Sequence, residues 1–440
     1  MEESPLVPAE PVKVAIIGTG QRSRTIYGPL IDSLRPWIEV VAVCDPVKPN
    51  ADAMAAKLNV AAYYDIRKLV KDRPMEAAIV ITPVESHHSI SVYLSANGIH
   101  NLTETTWCNT LGQGRQMIEE ARKAGVVARV AENFFRFPVD RFAQQLKRAN
   151  TIGRVGRIFS YNDHTGYHNN SRWIVYAGAH PVWAQALEHE IGTAPLRYTP
   201  ERYHDKENYH ARFFMFPDNL LVIDQCSNPK GLLGRMTRPG ITEWQGERGT
   251  LVHQSTASLI RGPGYKADGT VDQKEATPWP YATEIRLCSD DAVGDKTPFR
   301  PTGFADRHFP VRYEFEGHHW TRVYADTEDG RVEHVNPHRP VRPSEHFYLE
   351  YGASIMGHII DFALAVRLLR PSEFDGEDAL MSLMMEVAAK ESQLQEGKRI
   401  ALPLNGELES ERLAVRRLMN KLGVDPMDVE AMLNISYPKP

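Results

Sequence analysis

The sequence predicts an α/β fold: a Rossmann-type domain with a doubly wound parallel sheet, followed by an α+β domain with a large open-faced, mostly antiparallel sheet. Three observations carry this expectation. Residues 12–18, VKVAIIG, form a short continuous apolar run closed by glycine, as a strand buried on both faces requires. Strand-like runs return at 38–43, 77–81 and 98–102, with a helix-length segment at 22–34, and such alternation builds βαβ units with right-handed crossovers. From Gly156 the texture changes to RIFSYNDH, ARFFMF and LLVIDQC, longer segments broken by Pro and Gly that suit a sheet with one covered face.

These signals divide the chain into a first domain over 11–137, a second over 138–404 and a C-terminal helical extension over 405–440. Residues 260–343 are rich in Pro, Gly and charge and read as long loops around fewer strands. Helical spacing returns at 355–369 and 378–395, with Gly397 as the stop of the second. In the extension, ERLAVRRLMNKLG and DPMDVEAML predict two short amphipathic helices, the second with Asp425 as N-cap and Pro426 at its first position.

A chain of 440 residues with 42% hydrophobic content can bury a large core, and its length favours more than one domain. The net charge of -5 leaves no broad basic field for a phosphate backbone, which argues against a nucleic-acid partner. The opening MEESPLVPAEP has neither the basic start nor the apolar run of a signal peptide, and no later run is long enough for a bilayer, so a cytoplasmic location is expected. Cys44, Cys108, Cys226 and Cys288 are widely spaced without a CxxC pair, against a disulfide framework or a structural zinc site. HDKENYH, with His204 and His210, and the pair His318 and His319 lack zinc-ligand spacing and read as solvated loop residues, so no metal is expected.

VAIIGTGQRS places Gly18 and Gly20 between the first strand and the first helix, where a pyrophosphate can approach backbone N–H groups at the positive helix end; Gln21 and Arg22 follow, and Ser23 takes the place of a third glycine. The second strand ends VVAVCDP, which puts Asp45 where an acid binds ribose hydroxyls. An acid there repels a 2′-phosphate and favours NAD over NADP. The plainer alternative is a glycine turn packed on a sheet, with Asp45 capping the next turn.

Several stretches together resemble the Gfo/Idh/MocA family of nicotinamide-dependent carbohydrate enzymes. ITPVESHH is similar to its Thr-Pro-x-x-x-His stretch, with Thr82, Pro83 and His87 in register; ENFFRFP resembles its Asn-containing strand, placing Asn133; IGRVGRI matches its Ile-Gly-x-x-Gly turn; and EFDGEDALMSLMMEVAAKESQLQEGKRIALP is similar to its closing helices. The resemblance runs through all but residues 406–440. It implies a Rossmann cofactor domain, a substrate-binding and oligomerisation domain, a small carbohydrate ligand and a homo-oligomer, a dimer or tetramer.

The chain departs from the family where the chemistry is expected. Dehydrogenases of this group carry Glu-Lys-Pro at a strand end and Asp-x-x-x-His in the substrate domain. The resemblance sets Glu104 on the Glu, Thr105 on the Lys, Thr106 on the Pro, Tyr176 on the Asp and His180 on the His. With the lysine gone, Glu104 is expected to touch the nicotinamide ribose, Thr105 to hydrogen-bond a substrate hydroxyl, and His180 to act as acid and base. Tyr176 would lie on the same helical face four residues earlier. His164, Tyr167 and His168 are expected to line the sugar pocket and Trp173 to stack on a sugar face; an ordinary polar loop accounts for the same residues equally well.

Three functions compete. The first is an NAD-dependent dehydrogenase or reductase acting on a sugar, polyol or glycoside. The second is an NAD-dependent glycoside hydrolase, a branch that the missing lysine resembles, working by transient oxidation, elimination, hydration and re-reduction. The third is a non-catalytic dinucleotide-binding protein.

Overall fold

The computed structural model describes residues 6–161, 166–199, 202–228, 233, 240–255, 283–288, 305–316, 319–337 and 349–435. Six parallel strands open the chain: β1 Val12–Ile17, β2 Ile38–Cys44, β3 Ala61–Tyr63, β4 Ala77–Val80, β5 His100–Thr103 and β6 Ala128–Val130, in the order β3-β2-β1-β4-β5-β6. Val12, Val14 and Ile16 of β1 feed the main apolar core, whereas Ala15 and Ile17 feed a second cluster on the opposite face. The unbroken apolar run of β1 follows from this burial on both faces.

Strands β7 Val155–Tyr161, β8 Trp183–Thr199, β9 Arg202–Phe216, β10 Leu220–Asn228, β11 Gly240–Gly246, β12 Gly249–Ser255, β13 Glu284–Cys288 and β14 Ala305–Pro310 build the second sheet. Its order is β14-β13-β12-β11-β7-β10-β9-β8, and every pair is antiparallel except β7 with β10. A separate three-stranded sheet comprises β15 Arg312–Glu316, β16 His319–Thr327 and β17 Gly330–Val335. The short β18 Ile400–Ala401 then closes the edge of the large sheet beside β8. Side chains alternate across that sheet. Ile158, Phe214, Val222, Trp244 and Leu251 are buried, while Phe159, Phe213, Met215, Leu221, Ile223 and Ile241 stay partly open on the other face.

The helix Gly376–Leu394 packs on β8 and starts with a capping box in which Asp375 accepts from the Asp378 N–H and Asp378 accepts from the Asp375 N–H. No described helix is long and apolar enough to cross a membrane.

Three local expectations are corrected. HDKENYH lies within β9, so His204 and His210 sit on a strand and not on a loop. Residues 284–288, 305–316 and 319–335 carry five strands where long loops around fewer strands were expected, while 256–282 and 289–304 lie outside the described residues. The last helix runs Val429–Leu433 with Asp428 as its N-cap, accepting from Ala431 N–H at 3.0 Å. Asp425 instead accepts from Met427 N–H at 2.9 Å in a turn, because three further residues intervene before the helix begins.

The C-terminal segment is strapped onto the first domain. The helix Glu409–Leu422 sends Glu411 to the Leu111 N–H at 2.9 Å, and Pro426 O accepts from Gln113 Nε2 at 3.1 Å. Arg67 reaches Asn434 at 3.0 Å, and Met432 is buried. An acid at this dry position would be an unpaired buried charge. Met432→Asp is therefore expected to cost about 2–4 kcal/mol in urea denaturation, against under about 0.5 kcal/mol for a change at the exposed Met419.

Candidate active site

The site is built at the carboxyl ends of the parallel strands, where doubly wound folds bind ligands. After β1 the chain turns at Gly18, whose φ is +89° and whose missing Cβ would stand 2.3 Å from the Ile81 carbonyl oxygen. No side chain fits that approach. Gly20 has open space where its Cβ would be, and the helix begins at Gln21. Asp45, one residue past β2, is buried, and its Oδ2 accepts from the Thr19 N–H at 2.7 Å and the Thr19 hydroxyl at 3.1 Å. Its Oδ1 accepts from the Val47 N–H at 2.8 Å. The acid thus fastens the glycine turn to the end of β2.

Ser23 is fully buried at the helix start, with its hydroxyl unpaired among the described residues. An orphaned hydroxyl, an open Gly20 and a fixed carboxylate fit the phosphate and ribose of a dinucleotide. Thr82 and Pro83 follow β4 and lead into the helix Val84–Ala96, with Pro83 as its N-cap residue. His87 in that helix is buried, with Nδ1 2.8 Å from Thr106 O and Nε2 2.8 Å from Thr82 O. It ties the end of β4 to the end of β5, and burial lowers its pKa despite the two carbonyls.

Glu104 and Glu132 lie just beyond β5 and β6, on neighbouring strands, and both are buried. Glu104 Oε1 accepts from Arg22 Nε at 2.6 Å, so the glycine-turn helix reaches across to β5. Its Oε2 accepts from the Thr105 N–H at 2.6 Å and the Thr105 hydroxyl at 3.0 Å, which engages the hydroxyl proton of Thr105 within the protein. Arg22 also stands over the Tyr351 ring at 5.7 Å.

Glu132 Oε2 accepts from the Ser171 hydroxyl at 3.1 Å and lies 3.3 Å from His168 Nδ1. The His168 ring packs on Phe134 with centroids 4.7 Å apart. Burial alone would lower the His168 pKa, but the Glu132 carboxylate and its hydrogen bond outweigh that and raise it, with Glu104 adding to the effect. His168 is therefore an imidazole whose protonated form Glu132 favours, within electrostatic reach of Glu104 and Arg22.

The helix Tyr167–Ala177 carries His168 at its first turn, and buried polar bonds pin it. Asn169 donates to Asp224 at 3.0 Å and Asn170 to Glu386 at 2.9 Å. Arg212 pairs with both Asp224 and Glu386. Arg172 pairs with Asp140 at 2.9 Å and lies 4.7 Å over the Trp173 ring. Trp173 is fully buried, so no sugar can stack on it as expected from the sequence. Tyr167 is buried beside His168, with ring centroids 6.0 Å apart. His164 lies outside the described residues.

Tyr176 and His180 do not share a helical face. The helix stops at Ala177 because Gly178 takes the left-handed conformation at its C-cap. Tyr176 is buried against Trp244, its hydroxyl has no hydrogen-bond partner among the described residues, and burial raises its pKa above the usual phenol range. His180 lies beyond the cap, with Nε2 2.8 Å from Asp378 Oδ1, beside a cavity of about 360 Å³ also lined by Ile174, Val175 and Glu373. Asn133 donates to the Ser354 hydroxyl at 2.7 Å and is buried. Glu132 and Tyr351 were not singled out by sequence as site residues. The readable signal for Glu132 was its place at the end of β6, next to that of Glu104 on β5. Among the described residues no group of acids, His and Cys is arranged to hold a metal.

The hydrogen bond from Asp378 raises the His180 pKa against partial burial. A raised folded value makes the stabilisation complete below the unfolded imidazole pKa and removes it as pH rises through the folded one. The stability lost in His180→Gln, read by urea denaturation, is expected to be larger below about pH 6 than above about pH 8.

Residues 12–132 match the oxidoreductase family with an NAD-binding Rossmann fold, GFO_IDH_MocA. A D-glucoside 3-dehydrogenase of Escherichia coli is 32% identical over 154 residues, 34% of this chain and 42% of that protein. The match thus spans under half of that relative. An inositol 2-dehydrogenase of Salmonella typhimurium is 26% identical over 67% of this chain and 89% of its own length. Among solved structures, a levoglucosan dehydrogenase in complex with NADH and levoglucosan shares the fold with a TM-score of 0.60 at 15% identity, covering 89% of this chain and all of that one. With the parallel sheet, the glycine turn and the acid-lined strand ends in place, residues 12–132 are similar to the NAD-binding Rossmann domain of the Gfo/Idh/MocA oxidoreductases.

Proposed function

We propose that this protein is an NAD-dependent oxidoreductase that moves hydride between a carbinol carbon of a sugar, polyol or glycoside and nicotinamide. The observation that carries the reading is the pairing of His168 with Glu132 at the carboxyl ends of the parallel strands, beside the cradle of Gly18, Gly20 and Ser23. The names of the relatives, a glucoside and an inositol dehydrogenase, support the carbohydrate class.

Bound NAD supplies the hydride acceptor. The protein must remove the hydroxyl proton as the carbon–hydrogen bond breaks, so that the alcohol becomes a ketone with two electrons and one hydrogen gone to the cofactor and one proton gone to a base. His168 is that base, with Glu132 stabilising the imidazolium that forms. Tyr176 is too deeply buried for the task, and His180 borders a cavity lined by Ile174, Val175, Glu373 and Asp378, with none of the strand-end residues. Because the His168 pKa is raised, the neutral base gains population as pH rises through it, and sugar oxidation accelerates in the same direction.

Asp45 favours NAD over NADP because a fixed carboxylate at the end of β2 repels a 2′-phosphate. The open sheet face with Phe159, Phe213, Met215, Leu221, Ile223 and Ile241 fits a homo-oligomer formed sheet to sheet. Light scattering is expected to give a mass that is a multiple of one chain; the mass of one chain alone would remove this assignment.

Turnover with NAD and a panel of myo-inositol, levoglucosan and aryl glucosides tests the activity. Net NADH without released aglycone is expected, and aglycone release without net NADH would favour the hydrolase. Glu132→Gln and His168→Asn are each expected to lower kcat by about 10²–10⁴-fold while NADH still binds, and more weakly bound NADPH is expected in all three proteins. A His168→Asn variant with full turnover would refute the base assignment.

A further inference from the structure

Arg22 is a cation bonded to Glu104, the residue that precedes Thr105 at the end of β5. It comes from another part of the sequence, the first turn after the glycines, and its Nε meets Glu104 at 2.6 Å. Glu104 is only 6% exposed in its side chain, yet 40% of the Arg22 side chain remains open. A guanidinium carries five N–H donors. Glu104 and Tyr351 engage part of that set, 40% of the side chain remains open, and the guanidinium lies close enough to His168 for its charge to act on that imidazole.

Desolvation works against the Arg22 charge, but Glu104 more than offsets it, so the guanidinium stays protonated throughout the accessible pH range. It cannot serve as a base. What it can do is hold negative charge in a partly dry site, where a fixed, oriented donor counts for more than it does in water.

We infer that Arg22 is an oxyanion-binding residue for the substrate. The charge it holds is either the alkoxide that develops on the oxidised carbon or a carboxylate carried by an acidic sugar. In the first case Arg22 divides the labour with the His168–Glu132 pair: His168 removes the proton and Arg22 stabilises the oxygen left behind. In the second it selects sugar acids. The inference rests on the oxidoreductase reading above.

The test compares wild type with Arg22→Gln and Arg22→Lys, each as its NADH complex for binding and with NAD for turnover. Because Arg22→Gln strands the Glu104 charge, the paired change Arg22→Gln with Glu104→Gln serves where the single variant fails to fold. Calorimetric titration with D-gluconate against D-glucose reads the carboxylate source. A loss of tenfold or more in gluconate affinity, with glucose unaffected, is expected for Arg22→Gln if the substrate is acidic. Turnover of the same neutral sugars reads the alkoxide source. There Arg22→Gln is expected to lose about 10²–10³-fold in kcat with little change in KM, partly restored in Arg22→Lys and by guanidinium added to the solution.

Arg22→Gln that weakens NADH binding tenfold while leaving both readouts unchanged would assign the residue to a cofactor phosphate and overturn the inference. Unchanged behaviour in all three assays would overturn it as well. Failure of wild type to bind NADH removes the oxidoreductase reading itself and this inference with it, a result told apart because it appears before any substitution is made.

Discussion

Two buried carboxylates on adjacent strands, Glu104 after β5 and Glu132 after β6, constrain everything around them. A carboxylate taken out of water must meet a cation or several hydrogen-bond donors, or its desolvation cost goes uncompensated. Glu104 is answered by Arg22 from the glycine-turn helix and by Thr105; Glu132 is answered by Ser171 and His168 from the second domain. The two acids therefore fasten the glycine turn to the sheet and the second domain to the first. The glycine turn and the proposed base come together because the same charges demand it.

The second domain serves this arrangement by holding one helix still. The bonds from Asn169, Asn170 and Arg172 to Asp224, Glu386 and Asp140 fix the helix Tyr167–Ala177 on the sheet and on the helix Gly376–Leu394, so His168 at its first turn has little freedom. The links to Asp224 and Asp140 are buried and that to Glu386 is part-buried, so their loss leaves a charge or an amide unpaired, the costly case for a protein interior. The C-terminal strap acts from the other side, engaging the starts of the helices that follow β4 and β5 through Lys421 with Glu85 and Glu411 with the Leu111 N–H.

Most of the fold was legible because it is written in local pattern. Short apolar runs, the first of them closed by glycine, marked the parallel strands, and Gly18 and Asp45 marked the turn and the strand end they occupy. The residues proposed to handle the proton were harder to read because local spacing pointed elsewhere. Tyr176 and His180 sit four apart, but Gly178 ends the helix between them and turns the pair away from one another. Trp173 looked like a platform for a sugar and is core, since burial depends on which helix face meets the sheet. Glu132 and His168 lie 36 residues apart in two domains, a pairing that no helical or strand period encodes. The Arg22–Glu104 bond spans 82 residues for the same reason. Such contacts are products of topology, visible only once the strand order is known.

The central claim is that Glu132 makes His168 a poised base, and the most direct measurement is the titration of His168 by NMR in wild type and in Glu132→Gln. The account predicts a His168 pKa above the ordinary imidazole value of about 6.5 in wild type and a clear fall when the Glu132 charge is removed. A His168 pKa that is the same in both proteins would contradict it.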